Sequence, residues 1–297
     1  MPAKRLSLES QYSILGVLLI APTVLVFSAV IVYPLLSAIY LSLYSIYTPT
    51  LQGEWVGLAN YQRLLAKGEF WISLRNTLVW TVGTLALQIV FGVAMALVLN
   101  RSLLFRPLAR SLVLFPYFVS TVVAVLVWRW VFNDLYGILN HTLMRMGILD
   151  MPLDWLGSMP NAMLSIILVG AWKYFPFVVI AVLARLQSIP DALYEAAEID
   201  GASLARQFWH ITLPQLRGVI TTIVLLDSIW TFRAFDPVFV MTGGGPAHAS
   251  EVLPTVIYFD GFQKLDFGYA SAQAVVMFVV LFVVSAFYMR RSMSTAG

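Results

Sequence analysis

The sequence predicts an all-α integral membrane protein with about six transmembrane helices and a two-helix loop on the cytoplasmic side. Three observations carry this. Of 297 residues, 60% are hydrophobic and only 11% charged, and mean hydropathy is +0.84; soluble domains carry about 25% charged residues. Apolar stretches recur at about 13–43, 77–99, 111–132, 163–186, 217–240 and 270–289. Between the fourth and fifth stands a polar island, 187–216, with four acids, an arginine and a histidine from Asp191 to His210.

Each apolar stretch is long enough to span. A helix rises about 1.5 Å per residue, so roughly 20 residues cross a hydrocarbon core of about 30 Å. Lipid-exposed backbone must satisfy its own hydrogen bonds, which runs of this length do as helices. A β-barrel would show alternating segments of about 10 residues, and the sequence has none. Lys4 and Arg5 precede the first run as in a signal peptide, but the run continues past Pro22 to Pro34. Signal h-regions end after about 7–15 residues, so it reads as a retained helix, extended or kinked at its prolines. With no room left for a soluble domain, residues 1–297 read as one transmembrane domain.

Charge bias orients the chain. With both termini inside, inner segments hold Lys4, Arg5, Arg101, Arg106, Arg110, Arg185, Arg206, Arg217, Arg290 and Arg291; outer loops hold Arg63, Lys67, Arg75, Arg145 and Lys264. That excess satisfies the positive-inside rule, and Trp55, Trp71, Trp128, Trp130 and Trp155 fall near the outer boundary, where amphipathic rings collect. The polar island is then cytoplasmic. The net charge of +3 is spread over short loops rather than one patch, which argues against nucleic-acid binding.

Locally the island reads as two short helices. Ser188 and Asp191 resemble a capping pair, and Pro190 suits a first helical turn. Ile189, Leu193, Ala196 and Ala197 share one face; Asp191, Glu195 and Glu198 share another. Gly201 can take positive φ and end the first helix. Ser203 can cap a second, in which Leu204, Phe208 and Ile211 repeat at helical spacing. Pro214 marks the passage into the fifth span. A solvated loop explains the acids but not the apolar faces; a hairpin that docks on a partner explains both.

The island carries Glu195-Ala196-Ala197, then Gly201 after three residues, then Ile211-x-Leu213-Pro214 after nine more. This resembles the signature loop of binding-protein-dependent ABC importer permeases. With "NR" at 100–101, "FP" at 115–116, "WKYFPF" at 172–177, "QSIPDALYEAAEIDGA" at 187–202 and "TGGGP" at 242–246, the chain is similar to the carbohydrate-uptake branch, of the maltose-permease F type. The resemblance implies a permease of a bacterial or archaeal cytoplasmic (inner) membrane. It would pair with a second homologous permease, two copies of a cytoplasmic ABC ATPase and an extracytoplasmic solute-binding protein. Glu195 is then expected to meet a basic residue of the ATPase, with Gly201 the turn between two coupling helices. ATP and Mg would be bound by the ATPase subunits and no cofactor by this chain. Independently, none of the four lysines (Lys4, Lys67, Lys173, Lys264) completes a G-x-x-x-x-G-K-[ST] loop.

Ionised groups inside a bilayer cost roughly 2.5–3.5 kcal/mol at its centre and mark functional candidates. Lys173 lies mid-way along the fourth span and Asp227 mid-way along the fifth. They either form a buried ion pair or line a wet cavity that binds a polar solute. Asp227, Thr231 and Ala234 share a face whose small side chains leave space. The resemblance places a solute site here and adds Tyr117, Thr121, Tyr174 and Phe177; aromatic rings with carboxylate and hydroxyl groups suit a carbohydrate. Arg233 and Asp236 are spaced for an i, i+3 ion pair, and Gln88 for joining helices.

His141, His210 and His248 lack ligand spacing, and there is no cysteine, so no metal site is expected. The outer loops 46–76, 133–162 and 241–269 would meet the binding protein. An ion-coupled transporter should show inverted repeats and broken spans, and a membrane enzyme a catalytic cluster; neither is found in the sequence. An importer of another small polar solute built on the same loop stays open beside the carbohydrate reading.

Overall fold

The computed structural model describes residues 8–46, 53–101 and 104–294; Lys4, Arg5 and part of the first outer loop, 47–52, lie outside them. The chain clusters into two compact units, Met1–Ala66 with Ile257–Val276 and Lys67–Val256 with Met277–Gly297.

In the first unit the leading apolar stretch is one long span, Leu15–Leu41, built from α1 (Leu8–Phe27) and α2 (Tyr33–Leu41). A wide turn, Ser28–Val32, joins them, and the Tyr33 amide donates to the Ser28 carbonyl five residues back. Pro34 has no N–H and its ring crowds the carbonyl four residues before it; widening the turn lets the helix pass that residue. No side chain in the most apolar part of this span is buried, as lipid contact requires.

A two-strand ribbon follows, β1 (Tyr44–Ser45) against β2 (Glu54–Trp55), antiparallel with Tyr44 opposite Trp55. Then comes α3 (Ala59–Ala66). Asn60 donates to the carbonyls of Ser42 and Tyr44, both at 2.9 Å. Arg63 pairs with Asp266 at 2.7 Å and lies 4.2 Å from the centre of the Tyr269 ring. Asp260 accepts from Lys264 at 2.6 Å and Gln273 at 2.8 Å. The expected outer loops thus carry helices of their own, held by long-range polar contacts.

The second unit is built on α4 (Gly68–Asn100) and α8 (Asn161–Leu186). α4 begins well before the apolar stretch from 77, because Phe70, Ser73 and Asn76 are buried on its inner face. The two helices approach closely at glycines. A Cβ on Gly92 would sit 2.4 Å from the Val178 Cβ, and one on Gly170 would sit 2.4 Å from the Trp80 ring. Such small-residue contacts drive helix association where lipid removes the hydrophobic gain. Overpacking costs typically 1–3 kcal/mol, so Gly92→Leu is expected to lower the thermal unfolding midpoint of the detergent-solubilised protein. Gly218→Ala, where an added Cβ meets nothing within 4 Å, should not.

Apolar packing in this unit gathers in two clusters. Trp80, Val125, Ile166, Val169, Val238 and Met241 belong to one; Ala96, Leu99, Val178, Val182, Leu216 and Ile223 to the other. Polar residues of α4 and α8, including Thr84, Gln88 and Lys173, occupy the level between them. Gln88 is fully buried with neither amide atom hydrogen-bonded, so it does not join helices as expected. Trp128 and Trp155 also pack inward: Trp128 is 5.3 Å from Trp172, and Trp155 donates to Asn140 at 2.8 Å.

Two expected spans are broken, contrary to the sequence reading, so a lack of broken spans no longer counts against an ion-coupled transporter. The 111–132 stretch is two helices, α5 (Arg106–Phe118) and α6 (Thr121–Val131), meeting at 97°. Val119 and Ser120 are extended (ψ 138° and 136°), and Pro116 near the end of α5 removes a helical donor. The fifth stretch runs through α11 (Leu213–Phe232), bends by 45° after Arg233, and continues as α12 (Asp236–Thr242). Outside the spans, α7 (Ile138–Arg145) and α13 (Leu253–Tyr258) lie in the loops expected to face outward. Finally, α14 (Phe267–Ser294) supplies the last span, and its Tyr288 hydroxyl donates to the Thr221 carbonyl.

Asn76 ties the segment after the glycine run to α4, donating to the carbonyls of His248 at 2.9 Å and Glu251 at 3.1 Å. Leaving buried acceptors unpaired costs about 1–3 kcal/mol. Asn76→Ala should therefore speed amide hydrogen exchange across 248–253 at least fivefold, without altering exchange in α8.

Candidate functional site

The polar island folds as a hairpin of α9 (Ala192–Ile199) and α10 (Leu204–Gln207). Gly201 turns between them at φ +72°, and the Ser203 hydroxyl accepts from the Arg206 amide at 3.4 Å. The Ser188–Asp191 capping pair does not form: Asp191 makes no side-chain cap, and Ser188 donates to the Arg185 carbonyl at 2.8 Å. Glu195 and Ala196 are exposed and Ala197 half-buried.

Burial sorts the apolar residues differently from their spacing. Ile189 packs inside, while Ile199 is 87% and Leu204 68% exposed; Phe208, Ile211 and Leu213 are half-buried. The hairpin therefore presents apolar side chains beside its acids at the tip. It is braced by Tyr194 and Thr212, whose hydroxyls are 3.0 Å apart.

Pro214 does not separate the hairpin from the fifth span. From Leu204 to Phe232 the chain is one helical rod. A wide turn at Phe208–Thr212, closed by the Leu213 amide on the Phe208 carbonyl, carries it past Pro214. At 1.5 Å per residue, this rod places Asp227 about 35 Å along the axis from Leu204.

Its far end lines a cavity of about 330 Å³ with Asp227, Trp230, Thr231, Arg233 and Ala234, joined by Tyr117, Tyr174 and Phe177. Phe177 and Trp230 stand edge-on, centroids 5.5 Å apart. Trp80 donates to the Thr231 carbonyl at 2.9 Å, fixing the end of the rod against α4. The Thr121 and Tyr174 hydroxyls are 3.4 Å apart. Asp227 is 4% exposed, and its Oδ2 is buried without a hydrogen-bond partner. A buried carboxylate oxygen rarely stays without a partner, which sets Asp227 apart among the residues lining the cavity.

Lys173 and Asp227 form no ion pair. Lys173 instead donates to the carbonyls of Pro116 and Tyr117, both at 2.9 Å, because the break after Phe118 leaves those carbonyls without helical donors. Arg233 and Asp236 do not pair either: the rod ends between them, at Arg233 with φ −94° and ψ 4°, which destroys the i, i+3 geometry. Of the residues expected around the solute, Tyr117, Tyr174, Phe177, Asp227 and Thr231 come together in the cavity; Thr121 and Lys173 stand behind it. Trp230 and Arg233 are lining residues that the sequence reading left out of the site, although Trp230 stands three after Asp227 on the same face.

Residues 88–293 match the model of the family described as binding-protein-dependent transport system inner membrane component. The chain belongs to that family. This permease is 35% identical over 276 residues to the trehalose/maltose transport system permease protein MalF of Thermococcus litoralis, covering 93% of this chain and 92% of the relative. It is 36% identical over 278 residues to the sulfoquinovosyl glycerol transport system permease protein SmoG of Agrobacterium fabrum, covering 93% and 90%. Among solved structures, a bacterial ABC transporter involved in import of the acidic polysaccharide alginate matches its fold with a TM-score of 0.83 at 23% identity, over 96% of this chain and 97% of that one. An amino acid ABC transporter matches at 0.53 over 80% of this chain and 96% of that one, at 18% identity. The permease is thus a multi-pass membrane component of an ABC transport system with the type I importer fold.

Proposed function

We propose that this chain is one transmembrane half of an ATP-driven importer of a sugar or sugar derivative, converting closure of separate ATPase subunits into alternating access. The observation that carries the proposal is the single rod from the exposed hairpin to the cavity. A continuous helix carries a displacement at Leu204 to Asp227, Trp230 and Thr231 with no break in the chain's helical path between. Glu195, Ala196, Ala197, Gly201, Ile211, Leu213 and Pro214 form the coupling element. Its exposed Ile199 and Leu204 enter a cleft of a cytoplasmic ABC ATPase while Glu195 meets a basic residue there. Two ATPase copies bind the ATP and Mg and perform the hydrolysis; this chain is not an enzyme.

In the cavity, Tyr117, Tyr174 and Phe177 offer ring faces to the apolar side of a pyranose, and Asp227 and Thr231 take its hydroxyls. Thr121 and Lys173 support these residues from behind. Relatives named for trehalose/maltose and sulfoquinovosyl glycerol transport favour a carbohydrate. A second homologous permease completes the pathway, an extracytoplasmic binding protein delivers the solute, and both termini lie in the cytoplasm. The solute is to be named by a thermal-shift screen of the co-purified binding protein against sugars, polyols and their phosphate or sulfonate derivatives. Stabilisation by one such compound supports the reading; stabilisation by an amino acid or peptide alone contradicts it.

A further inference from the structure

We infer that Lys173 is a positioning residue, which clamps the break between α5 and α6 and through it sets the Tyr117 ring in the cavity wall. The inference rests on the solute site proposed above. Lys173 is 4% exposed on α8, in a stretch where an apolar side chain would be cheaper to bury. Its ammonium is aimed at the last turn of α5, where it donates to the Pro116 and Tyr117 carbonyls at 2.9 Å each.

Those carbonyls would ordinarily accept from the amides of Ser120 and Thr121. The chain turns extended at Val119 and Ser120 and then bends by 97°, which removes both donors. A cation at a helix C-terminus also opposes the negative end of the helix dipole. One side chain thus supplies both missing donors and the matching charge, from an element more than fifty residues away in sequence. The same ammonium lies 5.7 Å from the Tyr117 ring centre and 5.5 Å from that of Tyr174, within range of cation–π attraction to both. Tyr117 and Tyr174 line the cavity; Lys173 does not. Lys173 therefore holds the broken span as a fixed wall and acts on the solute only through the rings in front of it.

The chain has no cysteine, so Ser120→Cys, at the exposed turn, gives one thiol whose maleimide labelling reports the break. In the complete importer in proteoliposomes, adding Lys173→Met should speed labelling at least fivefold; an unchanged rate overturns the inference. Should the methionine variant be missing from the membrane, Lys173→Gln is read instead, with at least threefold faster labelling expected and an unchanged rate again decisive. A double-mutant cycle on maximal import supplies the second reading. Lys173→Met and Tyr117→Ala should each lower import about tenfold, and the pair together no more than the worse single variant. Multiplying losses, near 100-fold, would mean Lys173 touches the solute independently. Labelling does not depend on transport, so an importer that moves no sugar at all counts against the proposed function and leaves the clamp to be judged by labelling.

Discussion

Gly201→Val is expected to abolish transport-coupled ATP hydrolysis, by at least twentyfold, while the chain still inserts and assembles. Gly201 sits at φ +72° with no atom within 4 Å of where a Cβ would stand. Nothing clashes, so the whole penalty is backbone strain, about 1–2 kcal/mol for an ordinary L-residue in the left-handed region and more for a β-branched one. The hairpin relieves that strain by re-angling α9 against α10. The exposed Ile199 and Leu204 flank this turn, so their presentation changes while the buried packing of Ile189 and Leu216 is untouched. Glu195→Lys tests the same proposed coupling by charge: opposite the basic residue proposed for the ATPase cleft, a lysine would create a repulsion that costs several kcal/mol. Stimulated ATPase activity of the reconstituted complex reads both variants. Normal stimulation in either would detach the hairpin from coupling.

Asp227→Asn is expected to separate stability from transport. An ionised carboxylate at this depth costs the membrane protein energy, and its Oδ2 has no partner to offset that cost. Replacing it with the isosteric amide should leave the unfolding midpoint unchanged or raise it. Hydrogen bonds to a charged group contribute about 1.5–3 kcal/mol, so removing the charge proposed to receive solute hydroxyls should lower import about 10- to 150-fold. Trp230→Ala, which removes the ring edge-on to Phe177, should lower import comparably but also lower the midpoint, because its loss opens the wall. Midpoint by thermal unfolding and import by labelled solute give the two readings. A destabilised Asp227→Asn with normal import would make the carboxylate structural.

Signals that are local in the chain were legible in the sequence, and those that depend on distant partners were not. Six apolar stretches are visible because span length is a property of each run alone. Gly201 and the Ser203 cap follow from turn chemistry within three residues. The 97° break after Phe118 lies within the apolar stretch 111–132, with Pro116 and the Ser120–Thr121 pair its local traces. What stabilises it is Lys173, from another helix. That same fact misdirected the expectation for Lys173 and Asp227: two opposite charges at equal depth suggest a pair, but backbone carbonyls freed by the break are the nearer acceptors. Arg233 and Asp236 likewise lose their expected pairing because the rod ends between them. Pro214 looked like a boundary, yet the wide turn at Phe208–Thr212 carries the helix through it.

The rod from Leu204 to Phe232 makes one claim above the others, that this chain moves solute only when a separate ATPase drives its hairpin. Uptake of labelled solute decides it, measured in proteoliposomes holding this permease, its partner permease and the loaded binding protein, with and without the ATPase subunits and ATP. Accumulation against a gradient only when both ATPase and ATP are present is the predicted result. Accumulation at an equal rate without the ATPase would contradict it.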